Sequence, residues 1–254
     1  MPMDALLVTI ASFCAGLVDS IVGGGGLVLL PALFATYPTA APAALLGTNK
    51  SASIWGTAMA TWRYGRRVPL DWPVMLPSAL LALAGSFAGA WLATRVDPAT
   101  LRRLLPFVLL AVFGYTLWRR DLGSVHAPRH SAARATLIGC AIGLTIGVYD
   151  GFFGPGTGSF FIFLFVHFLG YDFLNASASA KLLNVATNLA ALVLFASKGL
   201  VWWQIGAGMA VANVAGSLVG VRLALKHGTG FVRVVFIAVV GALILKTGYD
   251  ALLR

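Results

Sequence analysis

Glutamate is absent from this chain of 254 residues, and all eight acidic side chains are aspartate. Charged residues of every kind make up 10% of the sequence against 59% hydrophobic. That balance excludes an ordinary soluble domain, in which about a quarter of residues are charged. No lysine or arginine precedes Lys50, so the N-terminus lacks the basic stretch of a cleaved signal peptide and its apolar segment is expected to remain as a transmembrane helix. Cysteine is nearly missing: Cys14 and Cys140 lie in apolar segments without a partner motif and read as small packing residues, not as a disulfide or sulfur relay. Long polar stretches are missing too, which leaves no room for a second, soluble domain.

What fills the chain is a succession of apolar segments, many of them long enough, at about 20 residues, to cross roughly 30 Å of hydrocarbon. The expectation is an all-α polytopic membrane protein with residues 1–254 as a single integral membrane domain. A net charge of +10 could suggest nucleic acid, but the basic residues sit in short clusters between apolar segments, as juxtamembrane loops do under the positive-inside rule. Nucleic acid is therefore not an expected partner.

A repeat organises these segments. An offset of 131 relates Asp19 to Asp150, Gly16 to Gly147, Gly23 to Gly154, Gly25 to Gly156, Phe34 to Phe165 and Lys50 to Lys181. The same register continues without a gap through Trp72 and Trp203, Gly85 and Gly216, Ser86 and Ser217, and Gly89 and Gly220. Residues as rare here as Asp, Lys and Trp would not hold one register by chance, so the chain reads as a tandem duplication. Repeat 1 covers about 4–118, a cytoplasmic linker 119–133, and repeat 2 about 134–252. The first unit has apolar segments near 4–22, 26–36, 42–62, 74–94 and 101–118, and the second near 134–153, 157–170, 173–196, 203–225 and 231–252.

The second segment of each unit is short and follows glycine-rich backbone, Gly23-Gly24-Gly25-Gly26 in one and Gly154-Pro155-Gly156-Thr157-Gly158 in the other. Interrupted segments at matching places in two halves point to a transporter binding site, because irregular backbone at membrane depth must face protein or a water-filled cavity. If the short segments cross the membrane there are ten crossings and the units are inverted; if they re-enter there are eight and the units are parallel. The basic residues placed in loops and at the C-terminus divide nine to five either way, and either way residues 119–133 fall in the cytoplasm. The patterns Gly85-x-x-x-Gly89 and Gly216-x-x-x-Gly220 predict small-residue faces for close helix packing.

Lys50 and Lys181 carry the functional argument. Lys50 follows Pro42 by eight residues, about 12 Å along a helix, which brings it toward the bilayer midplane. A buried ammonium there costs about 2.5–3.5 kcal/mol on insertion scales and needs a partner or a task. One reading is a fixed pair with Asp19 or Asp150, or snorkelling to an interface; the other is direct contact with an anionic substrate. Thr48, Asn49 and Ser51 flank the first lysine, and Lys181, Asn184 and Asn188 share one helix face at i, i+3, i+7 spacing. On the substrate reading, removing either lysine leaves the protein inserted and folded and abolishes transport or weakens anion binding. Asp19 and Asp150 end the first helix of each unit, either as organisers of the glycine turn or as sites of transport-coupled protonation. The glycines Gly23, Gly25, Gly154 and Gly156, with Thr157, either bring bare amides and a helix N-terminus to an anion or form a plain helix break. No Walker loop, dinucleotide fingerprint, metal-ligand pair or nucleophile triad is present. No enzyme activity, metal or cofactor is expected.

At these residues the chain resembles the TauE/SafE family of sulfite exporters, also called the 4-toluene sulfonate uptake permease family. The resemblance rests on Gly147-Val-Tyr-Asp-Gly-Phe-Phe-Gly-Pro-Gly-Thr-Gly-Ser159 with Ala180-Lys-Leu-Leu-Asn184, and on Gly16-Leu-Val-Asp-Ser-Ile-Val-Gly-Gly-Gly-Gly26 with Leu46-Gly-Thr-Asn-Lys-Ser51. It implies a multi-pass inner-membrane permease moving small organosulfur or organic anions of the sulfite, sulfonate or thiosulfate type. It also carries the motif glycines, Asp19, Asp150, Lys50, Lys181 and Asn184 over as functional positions. The partners expected are that small anion and the lipid bilayer, with a homodimer left open. The competing reading is a non-transporting membrane assembly component, which would have no use for paired midplane lysines.

Overall fold

A computed structural model describes residues 2–97, 99–100 and 126–252, with side chains followed through residue 228 and at some positions up to 235. The fifth apolar segment of the first unit, 101–118, and the first part of the linker 119–133 lie outside the described residues.

The described residues are mostly helical, with no strand among them. The helices are α1 (Pro2–Val22), α2 (Gly25–Thr36), α3 (Pro42–Gly65), α4 (Trp72–Ala93), α5 (Ala132–Phe152), α6 (Thr157–Leu164) with a π-helical turn at Phe165–Leu169, α7 (Phe173–Ser197) and α8 (Trp203–Leu252). Their starts are written locally. Pro42 and Pro73 sit in first turns, where the missing N–H costs nothing and the fixed φ suits a helix. Asp172 caps α7 by accepting from the Asn175 amide at 2.8 Å. Gly228, at φ 71° and ψ −163°, breaks the run of α8, and Gly170, at φ 78°, ends the π turn.

Among the described residues, five helices are long and apolar enough to cross a membrane: α1, α4, α5, α7 and the Trp203–Gly228 part of α8. Their outer faces carry Leu7, Ile10, Leu80, Phe87, Leu137 and Val211 exposed, while Ser12, Ser86, Asn188, Asn213 and Ser217 are buried. That inside-out polarity suits a hydrocarbon surround, in which polar groups must be satisfied within the protein. The short helices differ. At 12 residues α2 is about 18 Å long, less than the roughly 30 Å of the hydrocarbon core.

Packing follows a crossed plan. Helix α1 lies against α8 and α4 against α5, while α3 packs on α7 and α8, and α4 also on α7. The contacts correspond under the same offset of 131. A Cβ on Gly85 would run into the backbone of Leu144 and Val148, and one on Gly216 into that of Phe13 and Leu17. The small-residue faces therefore bring two backbones together, as their spacing predicts. Ser86 Oγ donates to the Thr187 carbonyl at 2.7 Å and Ser217 Oγ to the Gly56 carbonyl at 2.7 Å. The Asn188 side-chain amide donates to Thr57 Oγ1 at 3.4 Å, and these two residues are themselves 131 apart. A residue that touches its own counterpart lies at the centre of the arrangement.

Candidate functional site

The two helix breaks meet in the interior. Gly23, at φ 77°, turns the chain after α1 and donates its N–H to the Asp19 carbonyl at 2.8 Å. The next helix begins at Gly25, whose amide donates to Asp19 Oδ1 at 3.4 Å. In the second break Gly154 and Gly156 have φ of 88° and 76°. The Tyr149 hydroxyl braces that turn by donating to the Pro155 carbonyl at 2.6 Å, and Thr157 Oγ1 donates to the Gly154 carbonyl at 2.9 Å. The strands of the crossing are stitched by Ser159, whose N–H donates to the Gly23 carbonyl at 3.2 Å and whose hydroxyl donates to the Val22 carbonyl at 2.8 Å. Gly23 and Gly158 are so close that a Cβ on either would enter the other's backbone.

Beside this crossing lie two buried ion pairs. Lys50 Nζ is 2.6 Å from Asp150 Oδ2, and Lys181 Nζ is 3.0 Å from Asp19 Oδ2. Adding 131 to 50 gives 181 and subtracting 131 from 150 gives 19, so the same offset relates the two pairs. The two are not equally sealed. The Asp150 side chain is 4% exposed, whereas Asp19 is 19% exposed. Gly154 lies over the tighter pair: a Cβ there would stand 3.2 Å from Lys50 Nζ and 3.4 Å from Asp150 Oδ1. Asp19 meets the turn with one oxygen, which accepts from the Gly25 amide, and a lysine with the other.

The remaining candidates divide. Lys181, Asn184 and Asn188 are all buried along α7, and the Asn184 amide nitrogen would be 2.7 Å from a Cβ on Gly158, so this face looks onto the crossing. On α3 only Lys50 reaches it through a hydrogen bond. Thr48 Oγ1 donates to the Ala44 carbonyl at 2.7 Å and accepts from the Trp202 amide at 3.0 Å, which ties α3 to the start of α8. Ser51 donates back to the Thr48 carbonyl at 2.8 Å. Asn49 Oδ1 is buried and has no hydrogen-bond partner among the described residues. Tyr149 and Ser159 escaped the sequence reading, although each sits within three residues of a motif glycine or aspartate, where a hydroxyl can reach the freed carbonyls of a broken helix.

Chemically, the arrangement is two cations paired with two anions, one pair sealed and the other partly open at Asp19, next to backbone that is free of side chains. Such pairs gain little net stability, because desolvation offsets the Coulomb attraction. Among the described residues no group of three or more histidine, cysteine or acidic side chains is placed to hold a metal.

Comparison with known proteins agrees with this picture. Residues 8–247 match the family described as Sulfite exporter TauE/SafE. The chain is 38% identical to a probable membrane transporter protein, ORF9, of Sinorhizobium sp, over 93% of this chain and 89% of that protein. It is 35% identical to the probable membrane transporter protein YfcA of Escherichia coli strain K12, over 93% and 87% of the two chains. A probable membrane transporter protein of Haemophilus influenzae is 32% identical over 94% and 92%. No solved structure matches. A multi-pass helical chain matched along nearly its whole length by these transporters is a member of the TauE/SafE sulfite exporter family.

Proposed function

We propose that this protein is a secondary carrier, not an enzyme, for small organosulfur or organic anions of the sulfite, sulfonate or thiosulfate type. We place it in the inner (plasma) membrane and read it as two related units meeting at the glycine breaks. The observation that carries the reading is the pair of buried lysines, each held by an aspartate of the other unit beside the crossing. An arriving anion takes the lysine from its aspartate, and a proton taken up by the released carboxylate offsets one negative charge of that anion, leaving the cluster's charge unchanged for a monovalent one. Membership of a transporter family and the bare backbone at Gly23, Gly154 and Gly156 support this reading. Asn184 and Asn188 supply neutral amides on the same face of α7.

The test is counterflow of labelled sulfite or thiosulfate into proteoliposomes, with lactate and taurine as competitors and a pH gradient applied in a second series. Wild-type protein is expected to exchange at least one of these anions. The double variant Lys50→Met/Asp150→Leu, which keeps volume and removes both charges, is expected to insert and fold but to lose exchange by roughly a hundredfold, the effect of removing a charge-assisted contact of about 3 kcal/mol. Undiminished exchange by that variant would make the pair a structural lock. Asp19→Asn and Asp150→Asn are expected to uncouple exchange from the pH gradient, and unchanged proton dependence in both would leave these residues as turn organisers.

A further inference from the structure

Away from the crossing, three helix ends enclose a cleft of about 730 Å³ with Arg63, Arg66, Arg67, Arg222 and Lys226 in its lining. Arg63 and Arg66 come from the C-terminal end of α3. Arg222 and Lys226 come from α8 just before the break at Gly228, and Leu174 contributes the first turn of α7. Three membrane helices that end at one cavity end at one face of the membrane, so the cleft lies at headgroup depth. From there, we infer that it is a binding site for the phosphate of an anionic phospholipid.

Three features carry this. The first is unbalanced charge. Arg222 with Lys226 is a like-charged pair at i, i+4 of α8, which weakens a helix unless a counter-charge sits between them, and Arg63, Arg66 and Arg67 crowd the end of α3. Among the described residues no carboxylate lines the cleft and no ion pair to any of the five occurs. The second is an open donor: Arg63 Nε is a buried atom without a hydrogen-bond partner among the described residues, although buried donors are ordinarily satisfied. The third is the amphipathic lining. Trp62 is half exposed and carries the Arg66 guanidinium 4.4 Å above its ring, as an interfacial tryptophan does at the level of lipid headgroups. Val68, Leu174 and Leu225 line the same space and would meet the glycerol and upper acyl carbons. A freely dissolved anion would have no use for that apolar wall, whereas basic pockets between transmembrane helices suit acidic headgroups.

The test uses purified protein in a neutral detergent, with retained lipid counted by native mass spectrometry and the thermal midpoint followed on adding phosphatidylglycerol, phosphatidylcholine or inorganic phosphate. Phosphatidylglycerol is expected to be retained and to raise the midpoint, and phosphatidylcholine to do neither. In Arg63→Gln/Arg66→Gln/Arg222→Gln its affinity is expected to fall roughly a hundredfold, three cations each contributing at the membrane surface. Arg66→Gln/Lys226→Gln removes two exposed charges and serves if the triple variant does not fold. Lys198→Gln, at the far end of α7, is expected to change nothing. Equal retention of both lipids by wild-type protein overturns the inference, as does an equal loss in Lys198→Gln. Stabilisation by inorganic phosphate alone that matches the lipid's would make this a site for a dissolved anion and overturn it as well.

Discussion

Replacing Lys50 with alanine is expected to lower the stability of the folded protein by roughly 3–5 kcal/mol, the usual cost of leaving one member of a buried ion pair alone. Asp150 is 4% exposed at its side chain and 2.6 Å from the lysine, so water cannot replace the lost ammonium without opening the site. This revises the expectation that a lysine variant folds unimpaired, which assumed a cation without a standing partner. Lys50→Met with Asp150→Leu is expected to recover most of the loss, because a hydrophobic replacement of a buried pair is often neutral or stabilising. Lys181→Ala is expected to cost less, since Asp19 is 19% exposed and can be partly rehydrated. Thermal unfolding of the four proteins in one detergent measures this ordering. A Lys50→Ala midpoint equal to wild type would show that the pair is not formed in the folded protein.

The second large effect is expected at Gly23. Alanine there must hold φ near 77°, which costs an L-residue about 1–2 kcal/mol. Its methyl group would also enter the backbone of Gly158, and overpacking of that kind adds about 1–3 kcal/mol. Gly199 separates the two terms. Its φ is 68°, but nothing lies within 4 Å of where a Cβ would stand, so Gly199→Ala carries the conformational cost alone. Gly23→Ala is therefore expected to unfold well below Gly199→Ala, and equal midpoints would show that the two breaks do not press on one another.

Much of the helix plan is legible because its punctuation is local. Glycine before α2 and α6, proline in the first turns of α3 and α4, and the Asp172 cap each act within a turn of where they stand, so apolar segments read from the chain end within a few residues of the helices. The π turn at Phe165–Leu169 is invisible, because its residues are as apolar as those of α6. The site is legible in composition and not in pairing. Lys50, Lys181, Asp19 and Asp150 stand out as charges in apolar surroundings, but which lysine meets which aspartate depends on contacts 100 and 162 residues apart. Nor does adjacency to Lys50 reveal direction: Thr48 and Ser51 are turned to backbone carbonyls of their own helix and to the Trp202 amide.

The exchange of ionic partners also bears on how the chain is assembled. A cut in the central loop would give an N-terminal piece with Asp19 and Lys50 and a C-terminal piece with Asp150 and Lys181. Every contact that neutralises these four residues runs between the pieces, as do the Ser86 and Ser217 hydrogen bonds. Each fragment alone lacks the partners that its buried charges meet in the folded protein, so both ion pairs are expected to favour reassembly. Co-synthesis of two separately inserted fragments becomes a complementation system, in which each half supplies the counter-ion that the other lacks.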